Sequence, residues 1–379
     1  MTVIAEVHGT TATGYEKVRD AFAAAVSAEE DLGAQLSVYA KGRPVVDLWT
    51  GPGVDGDSLF ANFSSAKGAA HLVAALLVQD GVIDLDTAVA HYWPEFAAED
   101  KGSITFRELI AHRAGLIGVD GGFTIAELAD DRALAARLAG QKPYWEPGTA
   151  FGYHAYVIGA LTGEVVRRVT GRSIQEWFEQ RVRVSYGLDY YLGLPEALEA
   201  RFVPVEAMRP APADPAHVDP HSLLGIAFNY NAAEPVGLVD FGNSRLVHAL
   251  GPTSSGGVGN ARGLAKMYAA AVHQVDGREP LLRKETIAEF AGVSMSGTDV
   301  VVTQPDHFGL GFEAPSVRYP LLGDDAFGHS GATGSYSLAD PGSGIGYSYL
   351  RNRFSATGGG GAVENHELLR AAVGAAQAE

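Results

Sequence analysis

The spacing of apolar residues changes period along the first eighty positions. In GYEKVRDAFAAAVSAEE (14–30) apolar residues return every three to four positions, as on an amphipathic helix. QLSVYA (35–40) and VVDLWT (45–50) follow, rich in strand-forming residues and joined by Lys41-Gly42-Arg43-Pro44. This predicts two strands in a hairpin. From Ser64 to Gln79 the segment is Ala, Leu and Val nearly all round, interrupted by Lys67, His71 and Gln79, and Gly81 stands where a helix C-cap belongs. A helix apolar on every side is a buried helix.

From about 81 to 200 the pattern is mostly helical. Thr105 is placed to cap ITFRELIAHRAGL, and TIAELADDRALAARLAG and YVIGALTGEVVRRVTG show helical spacing, each ending at Gly. Five prolines (Pro204, Pro210, Pro212, Pro215, Pro220) in residues 204–220 leave room only for a loop or lid. After about 245 come a helix (NARGLAKMYAAAVHQ) and the strand-like runs HFGLGFEA, FGHSGATGSYSLAD and GIGYSYLRNRF. Asp340 to Gly344 reads as a hairpin turn, and an Ala-rich helix closes the chain over 364–378. Strands at both ends with helices between predict an α/β domain built from 1–80 and 245–379. Residues 81–244 then form a mostly helical insertion, and ligands favour such domain boundaries.

Composition narrows the function. A length of 379 residues exceeds one ordinary core, and the apolar fraction of 46% suffices to build a large one. The net charge of −17 argues against nucleic acid or an anionic membrane as a partner. The absence of cysteine excludes disulfides, thiolate nucleophiles and Cys-ligated zinc. The N-terminal segment lacks the basic and apolar regions of a signal peptide, and no apolar stretch spans a membrane, so the expected location is the cytoplasm.

Lys67 stands out against this background. Ser64-x-x-Lys67 is the one Ser-x-x-Lys in the chain, where 21 serines and 7 lysines give about 0.4 matches by chance. Serine is a common N-cap, and Ser64 in one reading simply caps the helix. Yet a capped helix favours Glu or Gln at position 67, and there the helix dipole opposes a cation. Burial and dipole together push the amine toward its neutral form. The i to i+3 spacing puts Ser64 and Lys67 on one face, while Ser65 points away. Capping and activation of Ser64 are both open on this stretch alone.

Several look-alike motifs fail. Gly328-His329-Ser330-Gly331-Ala332 lacks the last glycine of a nucleophile elbow. His217 and His221 are spaced like zinc ligands, but Pro215 and Pro220 forbid the helix such a pair needs. His112 follows an apolar helix and reads as structural. No metal is expected.

Two further segments bear on the choice: Trp145-Glu146-Pro147-Gly148-Thr149-Ala150-Phe151-Gly152-Tyr153-His154-Ala155 and Phe327-Gly328-His329-Ser330-Gly331-Ala332-Thr333-Gly334. With Ser64-Ser65-Ala66-Lys67, in this order, they resemble the serine β-lactamase-like superfamily, and within it the family VIII carboxylesterases, which look like class C β-lactamases. The N-terminal helix and hairpin, GVIDLDTAVAHYWPEF, ITFRELIAHRAGL and SSGGVGNARGLAKMYAA share that character. The resemblance implies a β-lactamase/penicillin-binding-protein-like fold of α+β type, a mainly antiparallel sheet flanked by helices. It implies Ser64 as nucleophile, Lys67 as its base and Tyr153 as a phenol sharing the proton work. The N–H groups of Ser64 and Ala332 form the oxyanion hole. His329, Ser330 and Gly331 stand where β-lactamases have Lys-Thr-Gly, and line the substrate pocket with Trp145 and His154. Two positions depart from the β-lactamase form: Ala155 replaces an asparagine and His329 a lysine. Both favour esters over β-lactams. The implied activity is a serine carboxylesterase acting on small or short-chain esters through an acyl-serine, without cofactor. An amide or β-lactam hydrolase, an acyltransferase and a non-catalytic binding protein on the same fold are the alternatives.

Overall fold

The computed structural model describes residues 6–210, 218–303, 307–356 and 359–379. In chain order its strands are β1 (His8–Thr11), β2 (Ala34–Ala40), β3 (Arg43–Thr50), β4 (Phe60–Phe63), β5 (Tyr190–Tyr191), β6 (Gly257–Gly259), β7 (Phe327–Ser330), β8 (Tyr336–Asp340) and β9 (Ile345–Arg351). Six of them form an antiparallel sheet in the order β1-β3-β2-β9-β8-β7, so strands from both ends of the chain meet at the β2–β9 pair. The predicted hairpins β2–β3 and β8–β9 are present, the second turning between Asp340 and Ile345. A small antiparallel sheet, β4-β6-β5, lies beside the large one.

The period of two along β2 decides what covers each face. Ala34, Leu36, Val38 and Ala40 point into one core with α1 (Glu16–Val26) and the C-terminal helix Asn365–Gln377, while Tyr39 joins the core on the other face. That second core contains α2 (Ala66–Gln79) and the helix Ala261–Val272. Every residue of α2 from Ala66 to Leu77 is buried. Leu72, Val73, Leu76 and Leu77 each contribute about 1.5–3 kcal/mol by leaving water. This core continues past residue 80, through Phe106, Leu109 and Leu161 of the mostly helical stretch, and back to Met267 and Leu350.

Some expected elements are shorter or absent. ITFRELIAHRAGL is a helix only over Phe106–Ile110, held by a Thr105/Glu108 capping box, because His112 turns the chain with φ +60°. TIAELADDRALAARLAG breaks into Ile125–Leu128 and Asp131–Ala139, since the Asp130 side chain caps the second piece. HFGLGFEA forms no strand. Gly311, at φ +79°, folds it back so that Phe308 and Glu313 pair only as an isolated bridge. The described part of 204–220 has no helix or strand beyond an isolated Glu206–Arg353 bridge, and residues 211–217, including His217, lie outside the described residues.

A buried ion network locks the ends of the chain together. Arg351, at the end of β9, binds Glu29 and Glu364, and Arg353 binds Glu206. Tyr349 donates to the same Glu364 at 2.9 Å. Among the described residues, no helix is long and apolar enough to cross a membrane, and no cluster of three or more His, Asp or Glu could hold a metal.

Candidate active site

β4 ends at Phe63, whose φ of +44° is an unusual backbone for an aromatic residue. This bend delivers Ser64 and Ser65 to the start of α2. Neither serine caps the helix. Ser65 occupies the N-cap position with helical backbone angles and no capping bond, and its hydroxyl donates to the His329 carbonyl at 3.2 Å. The Ser64 hydroxyl instead faces two other groups. Lys67 Nζ lies 3.1 Å from Ser64 Oγ, and the Tyr153 hydroxyl donates to that oxygen at 2.6 Å. Lys67 Nζ sits 4.8 Å from the centre of the Tyr153 ring. Tyr153 arrives on a loop without helix or strand, between the Pro147-Gly148 turn and the helix Ile158–Thr170.

Lys67 is wholly buried, and its N–H groups donate to the carbonyls of Ala155 at 2.6 Å and Ser254 at 2.8 Å. Burial holds its pKa well below the ordinary lysine value, against a smaller opposing pull from Glu313. A neutral amine has two N–H groups and one lone pair. With both N–H groups directed to carbonyls, the lone pair is left for the Ser64 hydroxyl. Ala155 contributes its carbonyl, a service any residue could render, so its side chain is free to differ from the β-lactamase asparagine.

β7 runs along the mouth of the site. Gly331 follows it so closely that a side-chain carbon there would lie 2.7 Å from the Asn62 carbonyl, so only glycine fits. His329 is buried, with Nδ1 2.9 Å from the Ser330 carbonyl and 3.2 Å from Glu313 Oε1; its ring centre lies 6.1 Å from that of Tyr153. The Ser330 hydroxyl donates to Glu313 at 2.6 Å and accepts from the Gly360 N–H at 3.0 Å, so its hydrogen bonds go to the scaffold. His154 is likewise committed. Its Nδ1 donates to the Gly152 carbonyl at 2.6 Å and its Nε2 accepts from the Leu116 N–H at 3.2 Å. Burial lowers its pKa to about 4, so the ring is neutral near pH 7. Trp145 is half-buried edge-on to His154, beside Val301 and Phe228. The Ser64, Tyr153 and Ala332 residues remain partly open to solvent, and the N–H groups of Ser64 and Ala332 have no acceptor among the described residues.

Sequence reasoning missed three contributors. Ser254 holds Lys67 through a carbonyl, which leaves no side-chain signal. Phe308 stacks on Tyr153 with ring centres 5.6 Å apart and planes 5° from parallel, but its segment read as a strand. Glu313, in that same segment, anchors both His329 and Ser330.

Comparison with known proteins bears on these groups. The Beta-lactamase family pattern matches residues 18–371. The chain is 30% identical to Esterase/beta-lactamase LipL of Mycobacterium tuberculosis (strain ATCC 25618 / H37Rv), over 98% of this chain and 89% of LipL. It superposes on the structure of EstA from Arthrobacter nitroguajacolicus Rue61a with a TM-score of 0.91 at 41% identity, covering 97% of this chain and 98% of EstA. A family VIII carboxylesterase matches with a TM-score of 0.87 at 34% identity, over 98% of this chain and 100% of that one.

Proposed function

The chain belongs to the beta-lactamase family, and from that premise we propose that it is a serine carboxylesterase acting on small or short-chain esters, with Ser64 as nucleophile and Lys67 and Tyr153 as its proton-transfer pair. The observation that carries the proposal is the Ser64 hydroxyl lying within hydrogen-bond reach of both a buried amine and a phenol. Esterase relatives along nearly the whole chain support an ester as the substrate class. In this reading the site lies where the helical stretch 81–244 meets the α/β lobe of 1–80 and 245–379.

Ser64 Oγ attacks the ester carbonyl as its proton passes to the Lys67–Tyr153 pair. The two groups share that proton, so their titrations are coupled and the base is the pair. Negative charge on the former carbonyl oxygen is met by the N–H groups of Ser64 and Ala332, each worth roughly 10²–10³ in rate. The C–O bond to the alcohol then breaks, the pair returns its proton to the departing oxygen, and the acyl group remains on Ser64. Water attacks this ester in turn, giving up a proton to the same pair; the bond from the acyl carbon to Ser64 Oγ breaks, the pair returns the proton to Oγ, and the acid leaves. Burial of Lys67 is what lets an amine act as a base near neutral pH.

His329 in place of a lysine leaves no permanent cation at that position, and Ala155 offers no side-chain amide to a lactam substituent. Both features favour uncharged esters over β-lactams. The test is turnover of a short-chain p-nitrophenyl ester by the wild type and by Ser64→Ala. The proposal expects the variant to lose at least ~10³-fold, and comparable rates in the two proteins would remove Ser64 as the nucleophile.

A further inference from the structure

His112 grips both residues that flank Tyr153. Its carbonyl accepts the Gly152 N–H at 3.0 Å, and its Nδ1 accepts the His154 N–H at 3.1 Å. Its ring lies against the Tyr153 ring, 5.5 Å between centres, and against Phe308 at 4.5 Å. The loop between those two anchors has no helix or strand to fix it. Reaching both anchors requires the left-handed backbone of His112, φ +60°, which a histidine adopts only at some cost.

The ring also breaks a rule of stable cores. With Nδ1 accepting, a neutral imidazole carries its proton on Nε2. That atom is buried and has no hydrogen-bond partner among the described residues. Stability alone favours an apolar side chain here, but an apolar side chain could not receive the His154 N–H. Burial keeps the ring neutral, so Nδ1 stays an acceptor while the enzyme works.

We propose that His112 is a positioning residue, holding the Tyr153 phenol in place against Ser64 Oγ; this rests on the esterase reading above. The phenol makes its 2.6 Å contact from a loop, and displacement by about 1 Å in such a site costs on the order of 10²-fold in rate.

A double-mutant cycle on the full chain, read as kcat and KM for p-nitrophenyl acetate, tests this. His112→Leu is expected to lower kcat ~30–300-fold with KM changed less than ~3-fold. His112→Asn tolerates the left-handed backbone and offers an amide oxygen to the His154 N–H, so it should recover at least ~10-fold of that loss. In a Tyr153→Phe background His112→Leu should cost no more than ~3-fold further, because its target is gone. An equal His112→Leu penalty in both backgrounds, with Tyr153→Phe itself impaired, overturns the proposal and leaves the esterase reading standing. Full turnover by Tyr153→Phe overturns that reading and the proposal with it. Should His112→Leu not fold, His112→Gly, which is free at φ +60°, takes its place in the same cycle.

Discussion

Lys67 and Arg351 are both shut away from water, yet their surroundings treat the two charges in opposite ways. Around Arg351 stand Glu29 and Glu364, with Tyr349 beside them. Burial opposes the guanidinium charge, but Tyr349, Glu364 and Glu29 outweigh it and hold the pKa above the ordinary value. Lys67 has no carboxylate within ion-pair distance among the described residues. Its neighbours are two carbonyls and the hydroxyl of Ser64. Burial wins there, and the pKa falls. A buried base with paired acids is a staple, whereas one left to neutral acceptors becomes available to take a proton. Lys101 shows what the hydroxyl adds. It too is buried, donating to the Ala98 and Gln141 carbonyls at 2.7 Å each, and burial lowers its pKa against the opposing pull of Glu99. No hydroxyl waits beside it among its hydrogen-bond partners, so the comparison predicts no chemistry there.

Removing each cation separates these roles. Lys67→Met should lower ester turnover by ~10³–10⁴-fold while the protein stays folded, measured by steady-state kinetics and circular dichroism. Arg351→Met should leave turnover per folded molecule within ~2-fold of wild type. Among the described residues, its loss leaves Glu29 with only Arg353, at 3.9 Å, and Glu364 with only the Tyr349 hydroxyl, costing about 2–4 kcal/mol in urea unfolding, toward the low side because both carboxylates keep these partners and some solvent. Lys101→Met should cost only about 1 kcal/mol, because the Gln141 carbonyl loses its donor while the Ala98 carbonyl keeps the backbone N–H of residue 101 at 3.4 Å, with turnover unchanged. A large activity loss in this last variant would break the claim that the hydroxyl makes the difference.

The pH dependence sharpens the same contrast. The folded pKa of Lys67 lies below its unfolded value of about 10.4. Between those two values the unfolded chain binds a proton that the folded chain does not. Stability therefore rises with pH across that window, from the folded value up to about 10.4, and is lost as pH falls back through it. The stability of the wild type relative to Lys67→Met should increase from pH 7 to pH 10 in paired urea titrations. A flat difference would mean that Lys67 is already charged in the folded protein. Turnover should fall as acid protonates Lys67. His71 and His154, held neutral by burial with pKa values of about 3 and about 4, stay neutral from pH 7 to pH 10.

The legible parts of this molecule are those where side chains carry the pattern. The β2–β3 hairpin, the all-round apolar α2 and the misfit of Lys67 within it follow from residue type and spacing. The illegible parts are made by backbone. β6 is Gly-Val-Gly, and glycine has no face to show. Ser254 and Ala155 hold Lys67 with carbonyls, which every residue has. The segment around Phe308 has strand-like composition, but the positive φ of Gly311 folds it into a tight loop against Tyr153. His112 read as structural because its ring follows a helix. What matters is the direction of its two acceptors, which depends on a backbone angle that residue type does not reveal.

The most direct test of the account is the site and rate of phosphonylation. Wild-type protein treated near pH 7 with a p-nitrophenyl phosphonate should gain one adduct per chain, mapped by mass spectrometry to Ser64, and Lys67→Met should react at least ~100-fold more slowly. An adduct on any other residue, or an equal rate in Lys67→Met, would contradict it.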